Sequence, residues 1–153
     1  SNAVYTADIR IERIKGPYRH AWLPAHDGPV EFGVHGAISE HYGVEPEKEI
    51  TTTLDYVMAA TALLVGTFGG ALEAREIKAS EGHLEADVRD EVEKDDGVLV
   101  IRRVHVVYRL LAGEEHRETV ERVHGMHADR CPVYRTLKNS IDITTEYVLG
   151  DPH

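Results

Sequence analysis

The period of the hydrophobic pattern changes several times along the chain, and each change marks an element. Tyr5, Ala7, Ile9 and Ile11 alternate with Thr6, Asp8, Arg10 and Glu12, as in a strand with one covered face. Gly16-Pro17 signals a turn. Arg19 to Ala25 reads as a second strand, on an edge because Pro24 cannot donate to a ladder. After Asp27-Gly28-Pro29, the positions Val30, Phe32, Val34 and Ile38 mark a third strand, completing a three-stranded antiparallel meander. Residues 43–50 are polar and read as extended. Thr51-Thr52-Thr53-Leu54-Asp55 is rich in hydroxyls and ends in an acid, which suits the first turn of a helix.

From Val57 to Leu72 nothing is charged, and a helix apolar on every side is a buried one. It is too short to span a bilayer and contains three glycines and two threonines, so no membrane span is expected. Gly66 and Gly70 share a face that another backbone can approach. A bend is expected near Gly69-Gly70, since each glycine costs about 1 kcal/mol against alanine. Leu84, Ala86, Val88 and Val92 then alternate with charged residues, giving a strand with one wet face, and Asp95-Asp96-Gly97 closes a hairpin. The partner strand runs from Val98 to Leu111, with Val98, Val100, Val104, Val106, Tyr108 and Leu110 on one side and Arg103, His105 and Arg109 on the other. A helix opening at Glu114-Glu115 aligns His116, Val120, Val123 and His127. A short helix after Cys131 and a last strand through Ile141, Ile143, Tyr147 and Leu149 complete the chain.

Length and charge narrow the classes. The chain has 153 residues, room for one domain with a real core, here residues 4–150, with Ser1-Asn2-Ala3 reading as a tag remnant. A formal charge of −10 argues against nucleic acid or an anionic membrane as partner, because both need a basic footprint. A single cysteine forms no internal disulfide, and the region from Val4 is alternating rather than continuously apolar, so the expected location is cytoplasmic.

The candidate chemistry centres on that cysteine. Pro132 suits the first position of a helix, which makes Cys131 its cap residue and sets the sulfur near unbonded N–H groups that favour thiolate over thiol. Arg130 is adjacent and Arg135 lies one turn up. A free cysteine is equally at home as a small buried hydrophobe, and both readings stay open on local sequence. His124, His127 and Cys131 have acceptable spacing for zinc, but no fourth ligand lies nearby, so no metal and no cofactor are expected.

The order of strands and helices, the Ala59-Ala60 pair in the buried helix and the segment Cys131-Pro132-Val133-Tyr134-Arg135-Thr136-Leu137 together resemble the OsmC/Ohr family of osmotically induced and organic-hydroperoxide-resistance proteins. The resemblance implies an α+β fold, with antiparallel sheets around a long buried central helix, in an intertwined homodimer. It also implies thiol-dependent reduction of hydroperoxides by two cysteines, an arginine and an acid. Carried over by position, Cys131 takes the place of the resolving cysteine, Asp55 that of the acid and Arg19 that of the arginine. The attacking cysteine of the long helix is missing: the Ala59-Ala60 alignment puts Val65 or a neighbour there, and valine cannot form a sulfenic acid.

Two functions follow. One is a dimer with a degenerate site that binds a small apolar molecule in the retained cleft and is not a standard two-cysteine peroxidase. The alternative is a one-cysteine hydroperoxide reductase. In it, the Cys131 thiolate attacks the distal oxygen, Arg19 or Arg135 stabilises charge, Asp55 orients the arginine, and an external thiol resolves the sulfenic acid.

Overall fold

In the computed structural model, residues 2–151 are described, and the chain divides into two compact units, one up to Tyr56 and one from Val57. The first unit is built on the expected meander: β1 (Arg10–Lys15), β2 (Tyr18–Trp22) and β3 (Val30–Phe32) pair antiparallel in that order. Gly16, at φ 56°, makes the tight β1–β2 turn that a residue with a Cβ disfavours. Two expectations change here. Tyr5 to Ile9 precede the strand, and β1 is exposed along its whole length, with Ile11 at 68%, instead of having one covered face. Alternation marks a face suited to cover, and this chain supplies none.

Ile38 is not in the third strand but in a helix, α1 (Gly36–Tyr42). Gly36, at φ 52°, breaks the extended run, and seven residues are too few for a helical period to declare itself in the pattern. Gly43 ends α1 in the left-handed conformation, with its N–H bonded to Glu40 and that of Val44 bonded to Ser39. The chain then returns beside β3, where Gly33 N–H donates to Thr51 O and Ile50 N–H to Val34 O. A Cβ on Gly33 would stand 2.7 Å from that of Ile50, so this approach requires glycine.

α2 (Thr53–Ala62) carries the chain into the second unit, and α3 (Leu64–Glu73) follows. The expected bend exists, but at Leu63, whose ψ of 16° leaves the helical range. There the ladder switches to shorter-range bonds, Leu63 N–H to Ala60 O and Gly66 N–H to Leu63 O. Just before it, the Thr61 hydroxyl donates to Val57 O at 2.7 Å, a back-bond that bends helices. Gly69 and Gly70 stay helical. Gly69 is the close-packed one, since a Cβ there would meet Leu84 at 3.3 Å, whereas Gly66 and Gly70 face open space within this chain. The apolar run is therefore not buried all round. Leu64, Phe68 and Leu72 are fully buried, while Ala59, Ala60 and Leu63 are exposed.

β4 (Leu84–Asp95) and β5 (Val98–Leu111) form the expected hairpin, turning through Asp96 and Gly97, both at positive φ. A bulge opposite Glu91 and Val92 shifts the register once. The predicted parity of β5 holds where it matters: Val104, Val106, Tyr108 and Leu110 are fully buried, although Val98 at the tip is exposed. On the other face Arg103 bridges Glu91 and Glu93, and Arg109 bridges Glu85 and Asp87. The chain crosses over through α4 (Arg117–His127) and α5 (Pro132–Leu137) and returns as β6 (Asp142–Gly150). β6 pairs parallel to β5, so the second sheet is mixed and not purely antiparallel. A crossover of two helices is long enough to bring the chain back to the same end of the sheet, as parallel pairing needs. The buried faces of α3, α4 and β5 meet in one core, made of Leu64, Phe68 and Leu72, Val120 and Val123, and the inward residues of β5.

Candidate functional site

Cys131 is the cap residue of α5, as the Cys-Pro pattern predicts. Its backbone is extended, its N–H donates to Ala128 O, and its carbonyl accepts the first bond of the helix from Arg135 N–H. Its surroundings differ from those expected of a nucleophile. The residue is 5% exposed and belongs to the apolar core. Its sulfur makes no hydrogen bond among the described residues. Arg130 and Arg135 are both exposed, and neither guanidinium forms an ion pair or hydrogen bond among the described residues. α5 itself is only six residues long, so little helix dipole stands behind the sulfur.

The polar groups of this core are a tyrosine and a histidine. Tyr108 on β5 and His127 at the end of α4 are both fully buried, and their side chains meet at 2.8 Å. The other ring nitrogen of His127, Nδ1, lies 2.7 Å from His124 O. A carbonyl only accepts, so Nδ1 carries the proton, Nε2 accepts, and the Tyr108 hydroxyl is the donor between them. Both ring nitrogens of His127 are thus engaged within the protein. Next to it, His124 Nε2 lies 2.9 Å from Thr145 Oγ1. Burial pushes both histidines below their usual range and so keeps them neutral. Burial, with the nearby Cys131 sulfur as a smaller cause, pushes the Tyr108 hydroxyl well above its usual value. This network is neutral, closed and apolar at its edges. It suits packing and register, and it offers no charge to a reacting oxygen. Leu64, also fully buried, and Val65, half-buried, stand in the part of the helix where the missing thiol was expected.

Arg19 and Asp55 belong to the first unit, together with the start of α2. Thr52 and Asp55 cap that helix reciprocally: Asp55 N–H donates to Thr52 Oγ1 at 3.0 Å, and Thr52 N–H to Asp55 Oδ2 at 2.9 Å. The partner of Asp55 is not the expected arginine. His35 Nε2 lies 2.6 Å from Asp55 Oδ2, while Arg19 donates through Nε to Pro17 O and through Nη1 to Thr53 Oγ1. Partial burial raises the Asp55 carboxyl, but the Thr52 N–H and His35 outweigh it, and its pKa ends below the usual carboxylate value. Tyr56 holds the helix start to the sheet, its hydroxyl donating to Glu31 O and its ring packed on Phe32 at 4.4 Å between centroids. Beside Arg19 opens a hollow of about 550 Å³ with Thr53, Val34, Ile38 and Val44 in its walls.

Of the three residues expected at one site, the geometry relates Arg19 and Asp55 through neighbouring threonines, and Cys131 lies in the other unit. Tyr108 was placed only on the inward side of its strand, His127 was weighed only as a zinc ligand with His124 and Cys131, and His35 was not singled out. Tyr108 and His127 carried a usable signal: each has a polar tip on an inward-facing position, and such tips need a partner. His35 carried none, because its partner is twenty residues away, across a short helix that the pattern does not announce.

These elements define an α+β protein with two small sheets and a central helical run. The sequence matches the model of the OsmC-like protein family over residues 47–146, and the chain belongs to that family. Solved structures carry the same fold. An OsmC-like protein of unknown function from Vibrio cholerae superposes with a TM-score of 0.74 at 8% identity, covering 95% of this chain and 100% of that one. The organic hydroperoxide resistance protein OhrB of Bacillus subtilis gives 0.68 at 17% identity, over 95% and 100% of the two chains. An OsmC-like protein from Mycoplasma pneumoniae gives 0.67 at 16%, over 96% and 99%. A search of curated proteins returned no match.

Proposed function

We propose that this chain is a cytoplasmic OsmC-family protein with a degenerate thiol site, working as a homodimer that binds a small apolar molecule and not as a two-cysteine hydroperoxide reductase. The observation that carries this reading is the burial of Cys131 at 5% exposure inside an apolar core, beside a neutral tyrosine–histidine pair. A peroxidatic sulfur needs access, a cation and, for a two-cysteine cycle, a second thiol. The long helix has leucine and valine where that thiol is expected. The homodimer is supported by β1, an exposed edge strand carrying Ile11 and Ile14, and by the exposed apolar stripe Ala59, Leu63, Gly66 and Gly70. Both are surfaces that water solvates poorly.

The test is intact-mass spectrometry after addition of stoichiometric cumene hydroperoxide, followed by an external dithiol. The reading expects Cys131 to remain a thiol and the hydroperoxide to persist. A sulfenic acid or mixed disulfide on Cys131, with turnover of the hydroperoxide, overturns it in favour of the one-cysteine reductase. Analytical ultracentrifugation of the same sample checks the dimer.

A further inference from the structure

We propose that Tyr18, His20 and Glu31 form a binding site for one divalent transition-metal ion, with copper(II) the ion it suits best. The site is separate from the small-molecule reading above and uses neither Cys131 nor Arg19. Its residues are placed by the first sheet. Tyr18 and His20 are two apart on β2 and so share a face, and Glu31 on β3 is the direct cross-strand partner of His20. Their tips converge: Tyr18 Oη lies 2.7 Å from His20 Nε2 and 2.8 Å from Glu31 Oε2. Among the described residues no three histidine, cysteine or carboxylate side chains gather around a point, and here a tyrosine is the third donor. All three residues are half-buried. Tyr18 and Glu31 also line a hollow of about 440 Å³, which leaves room for the remaining ligands of an ion.

The hydrogen bonds show what an ion replaces. The phenol has one proton and gives it to the carboxylate, which only accepts, so His20 Nε2 carries the proton of the other bond. The bond to Glu31 is the main cause that holds the Tyr18 hydroxyl above its usual pKa. On binding, the phenol proton leaves to water and the imidazole proton moves from Nε2 to Nδ1, which no other described group engages. The spacing selects the metal. Ligands at right angles on bonds of about 2.0 Å stand about 2.8 Å apart, as in tetragonal copper(II), whereas tetrahedral zinc spreads them to about 3.3 Å. Copper(II) also heads the affinity order of the divalent first-row ions. The surrounding charge permits an ion here. Glu31 has no cationic partner among the described residues, and Arg10 is stacked on the Trp22 ring at 3.7 Å. The hollow has three acids and two lysines in its walls, and Lys15, opposite Tyr18, is paired with Glu47 at 3.2 Å. Glu12, opposite His20 on β1, shares this face and has only a 3.8 Å contact to Arg10, so it is free to close the set as a fourth ligand.

Titration of copper(II) chloride into the full chain, followed by visible absorption and electron paramagnetic resonance, tests the site. One ion per chain is expected, with a phenolate-to-copper band and hyperfine splitting from a single imidazole nitrogen. Tyr18→Phe should abolish the band. Both it and Glu31→Gln should weaken binding at least about tenfold, since even groups behind a metal's ligands are worth that much. His20→Phe keeps a ring beside Tyr18 and Trp22, and should remove the nitrogen splitting and weaken copper by about a hundredfold. His105→Phe should change nothing, although His105 also lies beside a carboxylate, that of Glu146. Zinc(II) should bind at least about tenfold more weakly than copper(II). Circular dichroism shows whether each variant is folded, and the conservative Tyr18→Phe and Glu31→Gln keep the test informative if His20→Phe is not. No copper binding, binding without the band, or binding unchanged in His20→Phe overturns the proposal. So does tighter binding of zinc, or loss of copper in His105→Phe. The hydroperoxide test on Cys131 is read separately, because neither outcome there bears on copper.

Discussion

The surroundings of Cys131 and those of Arg19 invite comparison, because the family resemblance assigns both residues to one reaction and their environments are opposite. In the core beside Cys131 the polar side chains are neutral and bonded inside the protein: buried Tyr108 to buried His127, His127 to His124 O, and half-buried His124 to Thr145. Around Arg19 the groups are charged, half-exposed and only partly satisfied, with Asp55 turned to His35 and Arg13 left facing Arg19. A buried neutral network contributes to fold specificity and is costly to leave incomplete. An open charged cluster contributes little to folding and is free to meet a ligand.

The largest effect should come from opening the sealed side. Phe68 is fully buried against Tyr108, His124 and His127, at centroid distances of 4.5 to 5.8 Å. Phe68→Ala should cost about 3–5 kcal/mol of stability by chemical denaturation. It should also raise the rate at which Cys131 reacts with an aromatic disulfide reagent by about tenfold or more, since buried thiols react through openings whose cost falls with stability. An unchanged rate would mean that Cys131 is already accessible, and the contrast between the two regions would disappear.

Next is the histidine inside the network. His127→Phe removes the acceptor of the Tyr108 hydroxyl and should cost about 1–3 kcal/mol, the penalty for a buried donor left without a partner. The same histidine gives the wild type a pH dependence of defined sign. Its folded pKa is depressed, so the unfolded chain takes up its proton first as pH falls. The stability it contributes is complete above the unfolded value of about 6.5 and declines below it, down to the folded pKa. Urea midpoints measured between about pH 7 and pH 5 should therefore fall with acidity in the wild type. They should fall less in His127→Phe, with the remaining slope due in part to His124, which is shifted the same way by burial.

How much of this was legible in the sequence depended on how far apart the cooperating residues lie. The β5 parity that buries Val104, Val106, Tyr108 and Leu110, the Asp96-Gly97 turn and the Cys131-Pro132 cap are all written within a few residues, and all stand. The helix break was misplaced because glycine content pointed to residues 69–70. The geometry follows instead from a hydroxyl back-bond at Thr61 and a shortened ladder at Leu63, which composition does not rank. α1 was read as strand because its seven residues hold one full period at most. The expected pairing of Asp55 with Arg19 failed for a tertiary reason: Gly36 turns the chain into α1, and His35 at its cap reaches the carboxylate first.

On the open side the effects should be smaller. Asp55→Ala removes the carboxylate that accepts from Thr52 N–H and from His35, while the backbone N–H at position 55 keeps its bond to Thr52 Oγ1, and should cost about 0.5–2 kcal/mol, the range for losing a capping side chain. Asp55 has a depressed folded pKa, so its contribution is present above about pH 4 and is lost as pH falls through the folded value. The variant and wild type should converge in stability at the acid end of a titration. A gap that persists there would mean that Asp55 acts by packing and not by charge.

The smallest effect is expected at Arg135, and it bears most directly on the sulfur. Sequence spacing offered this residue as a cation for Cys131, one turn up α5. Its guanidinium is exposed and makes no ion pair or hydrogen bond among the described residues, and the sulfur one turn away is buried. An exposed arginine with no partner contributes within about 0.5 kcal/mol of nothing, and its charge reaches a covered sulfur only through screening water. Arg135→Gln should leave the unfolding midpoint unchanged within error and alter the thiol labelling rate by less than about twofold at any salt concentration. A large drop in labelling that vanishes in high salt would show the guanidinium acting on the thiolate. The Cys131 region would then have to be read as charged and open, like the region around Arg19.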